Sequence, residues 1–508
     1  MNKVSLLCRA NGQVANEFLS DAGELIRLWT AESQNGASAG GLPMPSAILP
    51  DIRPSADVED ILYRQNILRE FCADDMLLAE LNGLFRRFDD CRDEWLKQKR
   101  NRRQAASNQP LSNYGELARL QCRNMAGLLK RALLLLREVR QRLGSPESDG
   151  LKQLAEAVGH LTENGSFSDL MSLCGRLEYR APNQPTDLHV WLDSLGRIVR
   201  AELCDHSQIK IVERDPEPKG WLARLGESVT EFIDKSRTAK TESMNAATPC
   251  ERVRQGSVGL YEQFTSQPYS SLTDLLTDLA GKLFDCFAGI ADELTFYSSA
   301  FKYCHILVER GLPLTYPTFG ENTIIESLCD PYRSLTPTEY VGTLSIVPFD
   351  FTVDAKSGAL VYGDAGSGKT TFLRALASAQ LIAQSGLPIP AKRAELRVYR
   401  QLFIEFTEAE DTLTEEYGAG RFEQEAHRIC DIIDRLEPGG LVILDEPFQS
   451  TDPTEGARWL YNILGYISDI GGQLIAASSL SGLRRAASDG GQPVWANVYH
   501  IAAGDKMT

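Results

Sequence analysis

The feature that most constrains this chain of 508 residues is a glycine-rich segment at 363–370, Gly-Asp-Ala-Gly-Ser-Gly-Lys-Thr. The segment fits the pattern G-x-x-x-x-G-K-[ST], and it lies between a strand-like run, GALVY at 358–362, and a predicted helix at 371–383. In this pattern the glycines let backbone N–H groups turn toward a phosphate at the positive end of a helix. The segment therefore predicts a site for the phosphates of a nucleotide on an α/β fold. The alternative, an ordinary glycine-rich turn between a strand and a helix, is not favoured.

The residues of this segment have predicted roles in binding ATP and Mg²⁺. Lys369 supplies a positive charge to the terminal phosphates, and the hydroxyl of Thr370 suits Mg²⁺. The other residues predicted to bind the nucleotide lie in the loop and in the first turn of the helix. They are Gly363, Asp364, Ala365, Gly366, Ser367, Gly368 and Thr371.

A second motif, LVILDE at 441–446, adds the residues that a hydrolytic reaction needs. Four apolar residues predict a buried strand, and two acids follow at its end. Asp445 is predicted to hold Mg²⁺, directly or through water, and Glu446 to be the general base that polarises the attacking water. An Asp-Glu pair is weak alone but specific beside the glycine-rich segment. A glutamate directly after the aspartate favours the ABC-like branch of P-loop proteins over small-molecule phosphotransferases.

Composition and charge narrow the class of protein. Apolar residues make up 43% of the chain and charged residues 24%, which is ordinary for a globular protein. The formal net charge is −16, unlike that of a protein covered in nucleic acid, although a local basic face is compatible with it. The N-terminal sequence lacks the apolar core of a signal peptide, and no run approaches the length of a membrane span. We therefore expect a cytoplasmic protein without a membrane partner.

The pattern of apolar residues changes near residue 345, and this change predicts a multidomain fold. Before that point the pattern is mainly helical, with a clear apolar stripe at 114–143 and a second long helix predicted at 271–308. Beyond it, β-rich runs at 359–362, 441–444, 473–477 and 494–501 alternate with helical segments, which indicates a covered, mostly parallel sheet. The predicted domains are an N-terminal helical core segment (1–110), a helical lever domain (111–335) and an α/β P-loop ATPase domain of ABC-like type (336–508).

Several further segments resemble the MutS family of DNA mismatch-repair ATPases. Thr371-Phe372-Leu373-Arg374 follows the glycine-rich segment as S-T-[YF]-L-R does in that family. The remaining similar segments are Ile389-Pro390-Ala391 with Ala394, Phe422-Glu423-Gln424-Glu425 (F-x-x-E), Phe448 to Gly456 (G-T-[ND]-P-x-E-G), Ile61 to Gln65 (I-x-x-R-Q) and Leu294-Thr295-Phe296-Tyr297.

The resemblance implies a homodimer or heterodimer with two composite ATP sites, helical levers, and DNA as a partner. Ser478-Ser479 stand where the family has the Thr-His of its γ-phosphate switch, which puts Ser479 among the predicted nucleotide-binding residues. Gly420 stands where the family has a serine. The chain resembles a divergent member without the mismatch-reading and connector domains, with a clamp confined to about 205–260 and an end before the helix-turn-helix.

Two functions remain open at this point. The first is a MutS-like ATPase that couples ATP binding and hydrolysis to dimer closure and to binding of DNA or a DNA structure. The alternative is an ATP-gated protein-interaction component of a multi-protein bacterial system, such as phage defence, without direct DNA recognition. The acidic charge and the short clamp motivate this alternative, in which a protein partner takes the place of DNA.

Three smaller features each allow two interpretations. Trp95, next to a basic run at 92–103, could stack on a base, but an amphipathic packing role is favoured. Phe349 could contact adenine or pack in the core, and core packing is favoured. The acidic stretch at 405–416 is predicted to be a solvated loop.

Overall fold

The structure, a computed structural model, describes residues 4–9, 19–20, 52–108, 114–163, 165–179, 187–192, 198–204, 251–252, 258–331, 334, 346–364, 366–406, 421–449, 451–479 and 496–500. The chain packs as two compact units. The first comprises Met1–Ser5 and Met76–Leu294, and the second comprises Leu6–Asp75 and Thr295–Thr508. The division into three domains drawn from the sequence stays a prediction beside this packing.

Helices dominate the first half of the chain, and strands become frequent in the second. The helices are α1 (Val58–Ala73), α2 (Asp75–Asn108), α3 (Tyr114–Leu143), α4 (Asp149–Thr162), α5 (Gly165–Tyr179), α6 (Val258–Cys286), α7 (Ile290–Glu309), α8 (Lys369–Gln384), α9 (Arg421–Arg435) and α10 (Pro453–Asp469). The strands are β1 (Leu19–Ser20), β2 (Asp187–Leu192), β3 (Ile198–Cys204), β4 (Glu251–Arg252), β5 (Thr318–Gly320), β6 (Thr323–Leu328), β7 (Phe349–Val353), β8 (Gly358–Tyr362), β9 (Arg393–Arg397), β10 (Gln401–Phe406), β11 (Leu441–Asp445), β12 (Gln473–Ser478) and β13 (Ala496–His500).

The first unit is organised around α3, which packs along α6 and also against α4 and α5. Its apolar stripe confirms the helix predicted at 114–143, and the helix ends before Gly144, whose φ of 54° is readily adopted by glycine. In the same unit Trp95 is buried, and its indole N–H donates to the carbonyl of Thr277 at 3.1 Å. The packing role favoured for Trp95 is therefore confirmed.

One prediction for the helical part of the chain was wrong in detail, and one element was not predicted. The single long helix expected at 271–308 is two helices, α6 and α7, because the chain turns at Gly289 with a φ of 92°. The element that was not predicted is a small antiparallel sheet in the order β3-β2-β4.

The core of the second unit is a parallel sheet in the order β1-β10-β11-β12-β8-β13. Every neighbouring pair in it is parallel. The four strand predictions in this region are confirmed, with bounds that differ by up to two residues. The fold is therefore a helical part followed by an α/β part with a parallel sheet.

Helices cover this sheet on both faces, which explains why its central strands are apolar throughout. Residues that share one face of β8, β10, β11 and β12, such as Leu360, Phe403 and Val442, form one core cluster with apolar residues of α9 and α10. Alternate residues of the strands point to the opposite face, where α8 packs against β11 and β12. The sheet is thus fixed on both sides, and its carboxyl-terminal edge carries the loops.

A second sheet in this unit has the order β5-β9-β6-β7 and contains both parallel and antiparallel pairs. It includes Ala394 from one of the MutS-like segments. The stretch predicted to be a solvated acidic loop begins inside β10, where Glu405 is buried and forms an ion pair with Arg428 of α9. That prediction was wrong for Glu405, because the arginine compensates its charge. In the described ranges, no helix has the length and apolar content that crossing a membrane requires.

The I-x-x-R-Q segment lies in α1, and its polar side chains have structural roles. Arg64 and Gln65 are both buried. The guanidinium of Arg64 donates to the carbonyl of Leu7 at 2.7 Å, and the amide of Gln65 donates to the carbonyl of Pro317 at 3.3 Å. These bonds fix α1 to two non-helical segments of the same unit.

The end of α8 is joined to the start of α1 by paired hydrogen bonds. The side-chain amide of Gln384 donates to the carbonyl of Ser55 at 2.9 Å, and the backbone N–H of Ser55 donates to the carbonyl of Gln384 at 2.9 Å. Gly386 follows with a φ of 85°, and a Cβ at this position would lie only 2.6 Å from the Cβ of Arg64. Glycine is therefore required here by both backbone conformation and space.

Candidate functional site

Three strands of the parallel sheet end side by side at its carboxyl edge. In their register Asp445 of β11 lies opposite Ala477 of β12, and Ser478 of β12 lies opposite Tyr362 of β8. The glycine-rich segment, the acid pair and Ser479 follow these strand ends directly. Ligands of open parallel sheets bind outside the carboxyl ends of the strands. The fold therefore brings the separate motifs together at the edge where a ligand site is expected.

The glycine-rich loop uses glycine where the backbone is left-handed. Gly366 has a φ of 80° and Gly368 a φ of 104°, and Gly368 is the N-cap of α8. A Cβ built at either position would have no atom within 4 Å, so the requirement is conformational and the space beside the loop is open. Ala365 lies outside the described residues, and Thr371 is half-buried in the first turn of α8.

Lys369 is the buried cation of the site, with 4% of its side chain exposed. Its ammonium donates to the carbonyls of Gly363 and Asp364 at 2.9 and 3.0 Å, and it forms an ion pair with the Glu446 carboxylate at 3.0 Å. A buried lysine charge is tolerated only when it is paired and hydrogen-bonded. These contacts hold the ammonium between the loop and the acid pair.

Asp445 is the most deeply buried acid of the site, at the end of β11. Burial raises the pKa of its carboxyl to about 6, although a hydrogen bond from Thr370 and the charges of Lys369 and Arg374 oppose the rise. The hydrogen bond brings together the two residues that the sequence predicted as Mg²⁺ ligands. The neighbouring Glu446 adds to the rise in this pKa by repulsion.

Glu446 is held by both of its carboxylate oxygens. One oxygen pairs with Lys369, and the other accepts hydrogen bonds from the backbone N–H and the hydroxyl of Ser479 at 2.8 and 3.0 Å. Its own backbone N–H donates to the carbonyl of Ala477 at 2.9 Å. Its φ is 49°, in the left-handed region that non-glycine residues rarely adopt.

The turn after Glu446 begins the segment that resembles G-T-[ND]-P-x-E-G, and its contacts within the chain were not predicted from the sequence. Phe448 has a φ of 63°, its ring is buried, and its backbone N–H donates to the carboxylate of Glu425 at 2.8 Å. The side-chain amide of Gln449 donates to the hydroxyl of Ser479 at 3.2 Å. The F-x-x-E pattern had marked Glu425, but only the fold shows which group it contacts.

Two residues near the site serve the structure of the domain. Phe349 is buried, and its ring packs edge-on against Phe372 with centroids 5.4 Å apart, as the favoured core-packing interpretation predicts. Asp452 is the N-cap of α10, where its carboxylate accepts from the N–H groups of Thr454 and Glu455 at 2.9 and 3.2 Å, with Pro453 in the first turn.

Known proteins resemble the chain in this part of the sequence. Residues 359–487 match the family model for MutS domain V. The "Endonuclease MutS2" of Brevibacillus brevis is 29% identical over 155 residues, which are 30% of this chain and 19% of that relative. Through this part of its sequence the chain is related to the MutS superfamily. The protein of the same name from Pelotomaculum thermopropionicum is 33% identical over 141 residues (27% and 18%), and that from Aquifex aeolicus 25% over 197 residues (39% and 24%).

The MutS match is confined to part of each protein. The chain spans no more than 24% of the length of these three relatives. The matched range nevertheless contains the whole candidate site, from the end of β8 through the acid pair to Ser479. The similarity to MutS domain V is therefore located at the edge of the sheet where the motifs meet.

Proposed function

We propose that this chain binds Mg-ATP at the carboxyl edge of its parallel sheet and hydrolyses it, and that ATP closes a MutS-type dimer on DNA or a DNA structure. The observation that carries the ATPase proposal is the contact of 3.0 Å between Lys369 and Glu446. It puts a phosphate-binding cation and a candidate base side by side at the end of the strand that carries Asp445. The two motifs are far apart in the sequence, and nothing in either motif alone would require their side chains to meet.

The loop has the space and the donors that a triphosphate needs. The open space beside Gly366 and Gly368 leaves room for phosphate oxygens next to the positive end of α8. The buried hydroxyl of Ser367 has no hydrogen-bond partner within the described part of the chain. A buried polar atom of this kind is normally satisfied in the functional state, so it supports an anion at the loop.

Thr370 and Asp445 would hold Mg²⁺, since a hydroxyl and a carboxylate are oxygen ligands of the kind that this ion prefers. When bound, Mg²⁺ neutralises negative charge on the phosphate oxygens. Lys369 then exchanges its contacts with the carbonyls of Gly363 and Asp364 for the terminal phosphates. Its burial strengthens this interaction, because little water screens it.

Glu446 is the general base of the proposed reaction. A water oxygen attacks the terminal phosphorus, its proton passes to the Glu446 carboxylate, and the bond to the leaving ADP oxygen breaks to release ADP and inorganic phosphate. Ser479 keeps the carboxylate oriented through two hydrogen bonds. In this proposal Ser479 acts on the base, in addition to the nucleotide contact that its position in the sequence predicts.

The DNA part of the proposal is supported by the similarity to the MutS superfamily. It retains the dimer with two composite ATP sites, in which the segment from Phe448 to Gly456 of one subunit completes the site of the other. In the proposal the domain at 336–508 hydrolyses ATP, and the helical parts at 1–110 and 111–335 transmit the change to DNA. The net charge of −16 requires the DNA-binding face to be local.

Two substitutions test this proposal at separate steps. Lys369→Ala should weaken ATP binding by about 10- to 100-fold, since charge-assisted hydrogen bonds contribute about 1.5–3 kcal/mol, whereas Lys392→Ala at an exposed position should not. Glu446→Gln should keep ATP binding and lower kcat by about 10²- to 10⁴-fold, the usual contribution of a general base. Calorimetric titration with ATP and a phosphate-release assay measure the two effects.

The Glu446→Gln protein also provides the test of dimer closure and DNA binding. With Mg-ATP it should double in mass by light scattering and bind duplex or branched DNA in a polarisation assay at low salt. ATP binding that Lys369→Ala leaves intact would contradict the site, and hydrolysis at the parental rate in Glu446→Gln would contradict the base. A dimer that binds none of the DNA forms would remove DNA from the proposal and leave the ATPase.

A further inference from the structure

The turn that follows β11 contains two left-handed residues that are not glycine, Glu446 and Phe448. For residues with a Cβ this conformation costs free energy, and it persists only where the surrounding structure determines it. Such residues concentrate at functional sites. The contacts that hold this turn therefore determine where the Glu446 carboxylate lies.

Two contacts hold the backbone of the turn from neighbouring elements. The first is the hydrogen bond from the Glu446 N–H to the carbonyl of Ala477 in β12, at 2.9 Å. The second is the hydrogen bond from the Phe448 N–H to the Glu425 carboxylate of α9, at 2.8 Å. The Phe448 ring adds a third restraint, because it is buried in the core cluster with Ile429 and Leu444.

Of the two hydrogen bonds, only the one to Glu425 has a side-chain acceptor. Without an acceptor at Glu425, the buried N–H of Phe448 would be unsatisfied, and the turn could lower its free energy by leaving the left-handed region. The turn also carries Gln449, which donates to Ser479, and Ser479 in turn donates to Glu446. A relaxed turn would therefore displace the base and its hydrogen-bonding partner together.

We propose that Glu425 is a positioning residue for ATP hydrolysis, because its carboxylate holds the Phe448 backbone in the conformation that aims Glu446 between Lys369 and Ser479. This inference rests on the proposed ATPase function and deepens it. Glu425 does not touch the reacting atoms and acts through the backbone of the turn. It belongs to a different element from the loop that binds phosphate, so its loss should affect the chemical step and spare nucleotide affinity.

The test separates the length of the side chain at position 425 from its charge. Glu425→Ala should lower kcat by about 10- to 100-fold, the effect expected when a catalytic group moves by about 1 Å, with the Kd for Mg-ATP unchanged. Glu425→Gln keeps an acceptor oxygen at the same distance and should recover most of the loss. Glu425→Asp keeps the charge but is too short, and it should behave like Glu425→Ala. Glu423→Ala, at an exposed position of the same helix, is the matched control.

Thermal unfolding and ATP-binding stoichiometry, measured on each variant, separate positioning from a general loss of fold. A loss of ATP-binding sites in proportion to kcat would overturn the proposal, since that is the effect of a purely structural residue. Equal kcat for Glu425→Ala and the parent, with Glu446→Gln inactive, would also overturn it while leaving the ATPase intact. A parent protein that neither binds nor hydrolyses ATP would remove both proposals.

Discussion

The two turns at the carboxyl edge of the parallel sheet reach left-handed backbone by opposite means. The loop after β8 uses glycine, at Gly366 and Gly368, whereas the turn after β11 uses Glu446 and Phe448. Glycine makes the first loop inexpensive to form and leaves open space beside it. The second turn bears the conformational cost of two side chains.

The difference follows from what each turn has to present. The glycine loop offers backbone N–H groups and room for a ligand, so a Cβ would serve no purpose there. The second turn offers its own carboxylate, and a glycine at 446 would remove the group that pairs with Lys369. Its conformation must then be held by hydrogen bonds to α9 and β12 and by burial of the Phe448 ring in the core. One turn is encoded locally and the other by tertiary structure.

The largest expected effect comes from replacing Phe448, whose ring is buried and whose backbone is left-handed. Phe448→Ala should lower the free energy of unfolding by about 3–5 kcal/mol, as other buried phenylalanines do. Phe448→Gly should lower it by about 1 kcal/mol less, because glycine adopts a φ of 63° without strain. Urea unfolding of both variants measures the difference.

Phe403 is the matched control for this pair, since it is buried in the same core cluster but lies in β10. There glycine should be worse than alanine by about 0.5–1 kcal/mol, because it weakens a strand. The order of the two variants should thus reverse between positions 448 and 403. The same order at both positions would mean that the turn is not strained.

The next effect concerns Asp445, whose folded pKa of about 6 lies above its ordinary value of 3.8. Ionisation of Asp445 therefore lowers the free energy of unfolding. This loss is absent below about pH 4, grows as the pH rises toward 6, and reaches its full size above about pH 6. A rise of this size corresponds to on the order of 3 kcal/mol. Asp445→Asn should accordingly stabilise the fold at pH 8 while it abolishes ATP hydrolysis.

Unfolding in urea with EDTA, at pH 8 and at pH 5, measures this gain. It should be about half as large at pH 5, where the folded carboxyl of the parent is mostly protonated. Asp469→Asn, at an exposed position of α10, should change stability little at either pH. A gain that does not depend on pH would show that the charge of Asp445 is not its cause.

The smallest effect is expected at the glycine loop. Gly368→Ala should weaken ATP binding by about tenfold, since the left-handed region costs a residue with a Cβ about 1–2 kcal/mol, even though no atom would clash with the methyl group. Gly465→Ala in α10 has equally open surroundings but no left-handed φ. It should leave ATP affinity unchanged, and calorimetric titration compares the two. Equal affinities would mean that the loop tolerates a Cβ without strain.

The contrast between the turns also explains how much of the site the sequence could predict. The glycine pattern and the acidic pair after an apolar strand are local, so their spacing was sufficient to predict strand, loop and helix. The parallel order of β8, β12 and β11 then brings Lys369, Asp445 and Glu446 together, as the motif pairing had implied. Their roles in ATP hydrolysis stay predictions.

The rest depended on contacts between distant parts of the chain. Nothing in the identity of Phe448 indicates a left-handed conformation, and Glu425 finds its partner in a backbone N–H that only the fold places beside it. Glu405 was misjudged for the same reason, since its arginine partner lies in another element. The break between α6 and α7 could have been predicted, because Gly289 is visible in the sequence.

The bonds between Gln384 and Ser55 give α8 a fixed far end. This helix has 16 residues and so a length of ~24 Å, from the left-handed glycine at 368 to the close approach of Gly386 and Arg64. A movement of the N-terminal end of α8 along the helix axis would therefore also move the residues that are bonded to its far end. The backbone of Ser55 and the side chains of Arg64 and Gln384 would thus resist displacement of a loop that lies at the opposite end of the helix.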